Sequence, residues 1–200
     1  MWNPRLTLVA ATIAALLPVS ACTTDDPSAG PPTPSPTATE SMDVGPLTLT
    51  SVDFVDGGDI PDEMTASGFG GNCAGPDLSP ELTWSGGPSD VGAYAIVMLD
   101  SSYSDWVHWI VANIPAETTT VPGGTSVAEP AVTGRNGLGN AKYIGPCPNS
   151  PDHIYTFEVW ALDQVLDLEP GFNYTDLTIA ADGHVLEMAE ITGIRSGPAE

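Results

Sequence analysis

A mainly β domain, a sandwich or barrel with one helix near its C-terminus, is the fold this sequence predicts. Three observations point there. From residue 47 onward, short apolar runs alternate with Gly, Pro, Asp and Asn clusters at close spacing, the rhythm of strands and turns. Three of those runs are long and almost wholly apolar, as buried central strands are. Only one later stretch, roughly Thr175 to Met188, carries helical character.

Taken in order, Leu47-Thr48-Leu49-Thr50 opens the domain with strict alternation. Ala93 to Leu99 (AYAIVML) is the first strong strand and stops at Asp100; residues 106–114 (WVHWIVANI) form the second and stop at Pro115. His153 to Leu162 (HIYTFEVWAL) is the third. The helical stretch has Asn173 or Thr175 available to cap its start, and Gly183 interrupts it. Residues 189–194 (AEITGI) read as a last strand. No internal repeat and no second domain is visible, and residues 46–200 suffice for one substantial core.

What precedes the domain reads differently. Leu6 to Val19 is an apolar run behind a single Arg5, too short to span a bilayer as a mature helix but right for a signal-peptide core. It ends in Val19-Ser20-Ala21-Cys22, small residues ahead of a cysteine, which resembles a lipobox. The expectation is a lipoprotein signal peptide over 1–21, a lipid on Cys22, and a chain facing the extracytoplasmic side of the membrane. The alternatives are an ordinary secretory signal with a chance cysteine, or an uncleaved anchor. Residues 22–45, with five prolines, many Thr and Ser and almost no large apolar side chain, should be an extended tether.

The sequence holds 26 acidic residues against four Lys and Arg, a net charge of −22. Such a surface repels phosphodiester backbones, which excludes nucleic acid as a partner and leaves lipid anchoring as the membrane contact. Of three cysteines, Cys73 and Cys147 remain to pair if Cys22 is acylated, and an oxidising exported compartment favours a disulfide between them. Two thiols without a third or fourth make zinc the weaker reading.

Alternation across the strong strands sorts their polar residues. Trp106, His108 and Ile110 are expected on one face of the second strand, with Val107, Trp109 and Val111 on the other. His153, Tyr155 and Phe157 share a face of the third strand, and Asp100 ends the first on the face of Tyr94, Ile96 and Met98. If these strand ends converge, a carboxylate, two imidazoles and a phenol would form a small polar pocket able to hold an oxyanion through imidazolium and phenol donors. The same His108, His153 and Asp100 could instead hold a metal in a two-histidine, one-carboxylate site. Ser101 or Ser102 could serve as a nucleophile near a histidine base. No Gly-x-Ser-x-Gly elbow and no His-Glu-x-x-His run supports catalysis. No enzyme, metal or cofactor is expected. The Gly-rich run Gly134 to Gly139 is turn chemistry, since no helical pattern follows it.

An ordered series of motifs over about residues 52–195 resembles the phosphatidylethanolamine-binding (Raf-kinase-inhibitor-like) family, in its bacterial YbhB/YbcL branch. The series starts with Ile60-Pro61 and Cys73-Ala74-Gly75-Pro76-Asp77-Leu78-Ser79-Pro80, followed by Leu82 and Trp84. It continues with Leu99-Asp100, Val107-His108-Trp109, Asn113-Ile114-Pro115 and Asn136 to Gly139. Tyr143-Ile144-Gly145-Pro146-Cys147-Pro148, His153-Ile154-Tyr155-Thr156-Phe157, Ala161-Leu162-Asp163 and Gly183-His184-Val185-Leu186 complete it. The resemblance implies a central antiparallel sheet and a pocket for a small anion, such as phosphate or a phospholipid headgroup, formed by Asp100, His108, Gly145, Pro146, His153 and Tyr155. His184 would pack behind that pocket or near its rim. Some relatives inhibit secreted or surface proteases, which makes a protease the alternative partner. Three departures stand out: Ser101-Ser102-Tyr103-Ser104 where the family has Pro-Asp-x-Pro, Asp152 for a Gly, and Ile154 for an Arg. Loss of an acid and of its Arg partner together leaves no orphan charge but weakens phosphate binding.

Overall fold

The computed structural model describes residues 45–69, 73–124, 127–149 and 151–197. The expected signal peptide, Cys22 and the tether up to residue 44 lie outside them. In chain order the strands are β1 (Thr48–Thr50), β2 (Gly58–Asp59), β3 (Leu82–Ser85), β4 (Ala93–Asp100), β5 (Trp106–Pro115), β6 (Thr120–Val121), β7 (Val132–Thr133) and β8 (His153–Leu162). Helix α1 (Tyr174–Ala181) and strand β9 (Val185–Arg195) follow. The three long apolar runs thus become β4, β5 and β8, within a residue or so of the bounds their composition predicts.

They build a six-stranded sheet in the order β2-β9-β8-β4-β5-β7, antiparallel except for the short β2–β9 pairing; β1-β3-β6 form a second, three-stranded sheet. One face of the large sheet packs on the small one: Ile96, Met98, Trp109, Val111 and Phe157 meet Leu49, Leu82, Trp84 and Val121. The other face, with Ala95, Val97, Ile110 and Leu162, is covered by Leu166, Phe172 and, from α1, Leu177 and Ala181. β4 is central and covered on both faces, so all eight of its residues are buried. Hence its unbroken apolar run, where a half-exposed strand would alternate.

The helix is shorter than its periodicity predicts. Asn173 caps it in a reciprocal box with Asp176: the Asn173 side chain accepts the Asp176 N–H and the Asp176 carboxylate accepts the Asn173 N–H. It stops at Ala181 because Asp182 turns extended and Gly183 takes φ 78°, a left-handed conformation that glycine tolerates. Residues 185–195 then run as β9 along the whole of β8, from Leu162↔Val185 to His153↔Arg195.

Two irregularities in the β4–β5 ladder fix where β5 side chains point. Between Met98↔Trp109 and Leu99↔Val107 the register shifts by one residue, leaving His108 unopposed. His108 and Trp109 therefore fall on the same side, with Trp109 and Val111 in the core between the sheets, while Val107, Ile110 and Ala112 lie on the helix side. The expected grouping of Ile110 with His108, and of Trp109 with Val107, is corrected by this bulge. A second bulge lies near Asn113, whose φ is 61°. There the Asn113 carboxamide donates to the Leu166 carbonyl at 2.9 Å and accepts the Leu166 N–H at 2.8 Å, pinning the chain that leaves β8.

Candidate functional site

Antiparallel pairing of β8, β4 and β5 sets the end of β4 beside the starts of its two neighbours. Asp100 is thus the register partner of both Tyr155 and Trp106. Asp100, His108, His153 and Tyr155 meet at one end of the large sheet around a cavity of about 300 Å³. Tyr155 stands between the imidazoles, its ring centroid 5.1 Å from that of His108 and 6.3 Å from that of His153. The convergence expected from strand faces is present.

Each polar group has a defined partner. His153 Nδ1 lies 2.6 Å from Asp100 Oδ2, and Asp100 Oδ1 accepts the Ser102 N–H at 3.0 Å. His108 Nδ1 is 2.8 Å from the Ile144 carbonyl. A carbonyl only accepts, so Nδ1 carries the proton and Nε2 of the neutral ring is an acceptor. Burial lowers the His108 pKa from 6.5 to about 4, outweighing the Ile144 carbonyl and Asp100, which act in the opposite direction. His108 is a neutral imidazole at physiological pH, which corrects the expectation of a cationic grip there. The Tyr155 phenol is pushed above its ordinary range by burial, then by the Asp100 charge and a hydrogen bond to Asp100, so it stays protonated.

The wall opposite the strands is the segment 143–148, and the Cys73 to Pro80 motif positions it. Asp77, at φ 59°, accepts the Gly145 N–H on Oδ1 at 2.8 Å and the Ser67 hydroxyl on Oδ2. Thr65 Oγ1 accepts the Gly75 N–H at 2.9 Å, and the Tyr143 hydroxyl donates to the Met64 carbonyl at 3.0 Å. Gly145 must be glycine: a Cβ there would sit 2.1 Å from the Met64 carbonyl oxygen and 2.4 Å from the Thr65 carbonyl carbon. A Cys73–Cys147 disulfide, Cα to Cα 5.3 Å, ties the two segments together.

Of the residues picked out in the sequence, Asp100, His108, Gly145, His153 and Tyr155 line the cavity. Pro146 does not; it is buried behind the wall, its carbonyl accepting the Ala66 N–H at 3.2 Å. His184 is neither behind the pocket nor at its rim. It pairs with Asp163 Oδ1 at 2.9 Å, just beyond the far end of β8; nine steps of strand put that about 30 Å from His153. The serines are structural: Ser102 Oγ accepts the Ile154 N–H and Ser101 Oγ bonds Thr156 Oγ1 at 2.6 Å. Neither is among the residues that line the cavity. His153 Nδ1 and Asp100 Oδ2 face each other. Among the described residues, no group of three or more His, Cys, Asp or Glu is set to hold a metal.

Sequence reasoning missed the rim. Phe69, Tyr103 and Leu138 are 58%, 64% and 53% exposed and line the mouth together with Trp106. The Trp106 ring meets that of His108 edge-on at 4.6 Å, and Gly137 is glycine because a Cβ there would fall 2.1 Å from the indole. A signal existed in Phe69 and Leu138, large apolar side chains inside Gly-rich loops where nothing local could bury them.

The fold and cavity define a class first: a two-sheet β domain whose pocket forms where three strand ends meet a disulfide-tied wall. The chain belongs to the phosphatidylethanolamine-binding protein family, whose profile matches residues 50–196. It is 37% identical to a UPF0098 protein of Methanothermobacter thermautotrophicus over 154 residues, covering 74% of this chain and 97% of that one. It is 38% identical to the UPF0098 protein YbcL of Escherichia coli over 135 residues, 62% of this chain and 73% of YbcL. The crystal structure of YbcL, described as a member of the mammalian PEBP family, superposes with a TM-score of 0.70 over 77% of this chain and all of that one. A PEBP homolog from Chlamydia trachomatis gives 0.67, at 32% identity over 76% and 99% of the two chains.

Proposed function

We propose that this chain binds a small ligand of the phospholipid-headgroup type in the pocket at the end of β4, β5 and β8, without turning it over. We further propose that it is exported and held at the outer side of a membrane by a lipid on Cys22. The observation that carries the binding reading is the meeting of Asp100, His108, His153 and Tyr155 around one cavity with an apolar rim. A polar floor under exposed Phe69, Tyr103 and Leu138 suits a molecule with a charged head and an apolar remainder. No Lys or Arg is among the described residues that line the cavity, which predicts millimolar rather than micromolar affinity for free phosphate.

Titration of the full chain, kept soluble in an uncharged detergent, with phosphoethanolamine should move the NMR signals of both His108 and His153 along saturable curves. Signals that stay put at millimolar ligand would overturn the reading. The anchor rests on the apolar run ending in Val19-Ser20-Ala21-Cys22. Mass spectrometry of membrane-extracted protein should find Cys22 as a diacylglyceryl-modified N-terminus, and an unmodified Cys22 peptide would sink that part alone.

A further inference from the structure

We propose that the open edge of β9 takes an extended segment of another protein, bearing Lys or Arg, as an added strand. On one side β9 pairs with β8 along its whole length. On the other, the described residues supply only the short β2, opposite Gly193 and Ile194, and the turn before it. The Gly57 N–H goes to the Thr192 carbonyl and the Thr192 N–H to Asp56 Oδ1, both at 2.8 Å, so the backbone groups of Thr192 point away from β8. Backbone groups alternate in direction along an antiparallel strand, and the β8–β9 ladder is regular from Arg195 back to Glu187. The N–H and C=O of Met188 and Glu190 therefore point as those of Thr192 do, toward a place that no strand of the described residues fills. Leu47, at the start of the small sheet, reaches only a side chain there: its N–H goes to Glu187 Oε1 at 2.9 Å. A strand laid along Met188 and Glu190 would continue the row that β2 begins.

Charge selects the occupant. Met188 and Glu190 stand on the helix side of the sheet, as the register partners of Trp160 and Glu158. Met188 is 49% exposed, and Val185 and Leu186 are exposed at the same end of the strand. Glu158 and Glu190 thus face each other directly across the ladder, and like charges so placed destabilise a sheet. Glu158 accepts the Trp160 indole N–H at 2.7 Å, and neither carboxylate forms an ion pair with a described residue. A Lys or Arg set beside Glu190 turns that repulsion into attraction. On the opposite face Ala189 packs against the core between the sheets, so the next side chain of the added strand is apolar. Basic and apolar residues in alternation fit this edge. A second copy of this chain does not, because 26 acidic residues against four Lys and Arg bring like charges together. Glu190 guards the edge against acidic and neutral strands while admitting a basic one.

The probe is the peptide acetyl-Lys-Val-Lys-Val-Lys-Val-Lys-amide, titrated at pH 7.5 and low salt into the full chain in uncharged detergent. It should shift the NMR amide signals of Met188 and Glu190, with an apparent Kd about tenfold below that of the same peptide carrying Glu for Lys. The basic peptide with every backbone nitrogen methylated keeps its charge but has no backbone donor, and should leave both amides unmoved. A Glu190→Lys variant should weaken binding of the basic peptide about tenfold, with the His108 signal unchanged. Equal affinity for the basic and acidic peptides, shifts as large from the methylated one, or no shift at millimolar peptide would each overturn the proposal. So would Met188 and Glu190 signals that move with protein concentration alone, which would seat a second copy on the edge. The wild-type comparisons decide the matter even if the variant does not fold.

Discussion

Replacing both Cys73 and Cys147 by serine lowers the free energy of unfolding by about 4 kcal/mol. The bond spans 74 positions of sequence, and closing a loop of that length removes about that much chain entropy from the unfolded state. The effect should appear as a lower urea midpoint in the double variant, and in the wild type after reduction. The loss has a second face. Cys147 lines the cavity, and its partner belongs to the segment that positions Gly145 through Asp77. Opening the bond therefore releases the wall as well as the fold, and ligand shifts at His108 should shrink under conditions where far-ultraviolet circular dichroism is unchanged. A reduced protein with the oxidised protein's midpoint would show that the loop is held by its hydrogen bonds alone.

The second large effect is one of pH. His108 is a base whose folded pKa, about 4, lies below its ordinary 6.5, because its buried site penalises the charged ring. Between those two values the unfolded chain takes up a proton that the folded chain refuses. Acid therefore favours unfolding: stability from this group is fully present above pH 6.5 and falls as pH drops from 6.5 toward 4, by about 3 kcal/mol in total. Other groups titrate in the same window, so the clean measurement is a difference. His108→Asn keeps a donor for the Ile144 carbonyl but has no titrating ring. Unfolding free energies of wild type and variant, measured from pH 7.5 down to pH 4, should converge as the wild type loses its advantage. Parallel curves would mean that the ring is not held neutral by burial.

The core of this fold was legible from composition, since β4, β5 and β8 are apolar runs whose lengths match the strands. Less legible were features that depend on one residue's backbone. Thr175 to Met188 has a helix-like spread of Leu, Ile and Ala, yet the helix stops at Ala181 and the rest pairs as β9, because Gly183 is left-handed and β8 needs a partner on that side. The polar floor followed from faces of strands, because Asp100, His153 and Tyr155 lie in regular ladder where alternation holds. The wall did not. Gly145 and Pro146 are neighbours in sequence, and only the hydrogen bonds of Asp77 and Ala66 decide that the glycine lines the cavity and the proline backs it. His184 was misplaced for a similar reason: its position follows from the antiparallel return of β9 to the far end of β8. Rim residues contributed by loops carry no periodicity at all.

The unopposed residue in β5 divides that strand into two independent halves. Residues 109–112 alternate between the small sheet on one face and the helix side on the other. Trp106 and His108 line the cavity, with Val107 between them on the helix side. A single backbone irregularity thus separates the two cavity-lining side chains of β5 from the pattern that fills the interior.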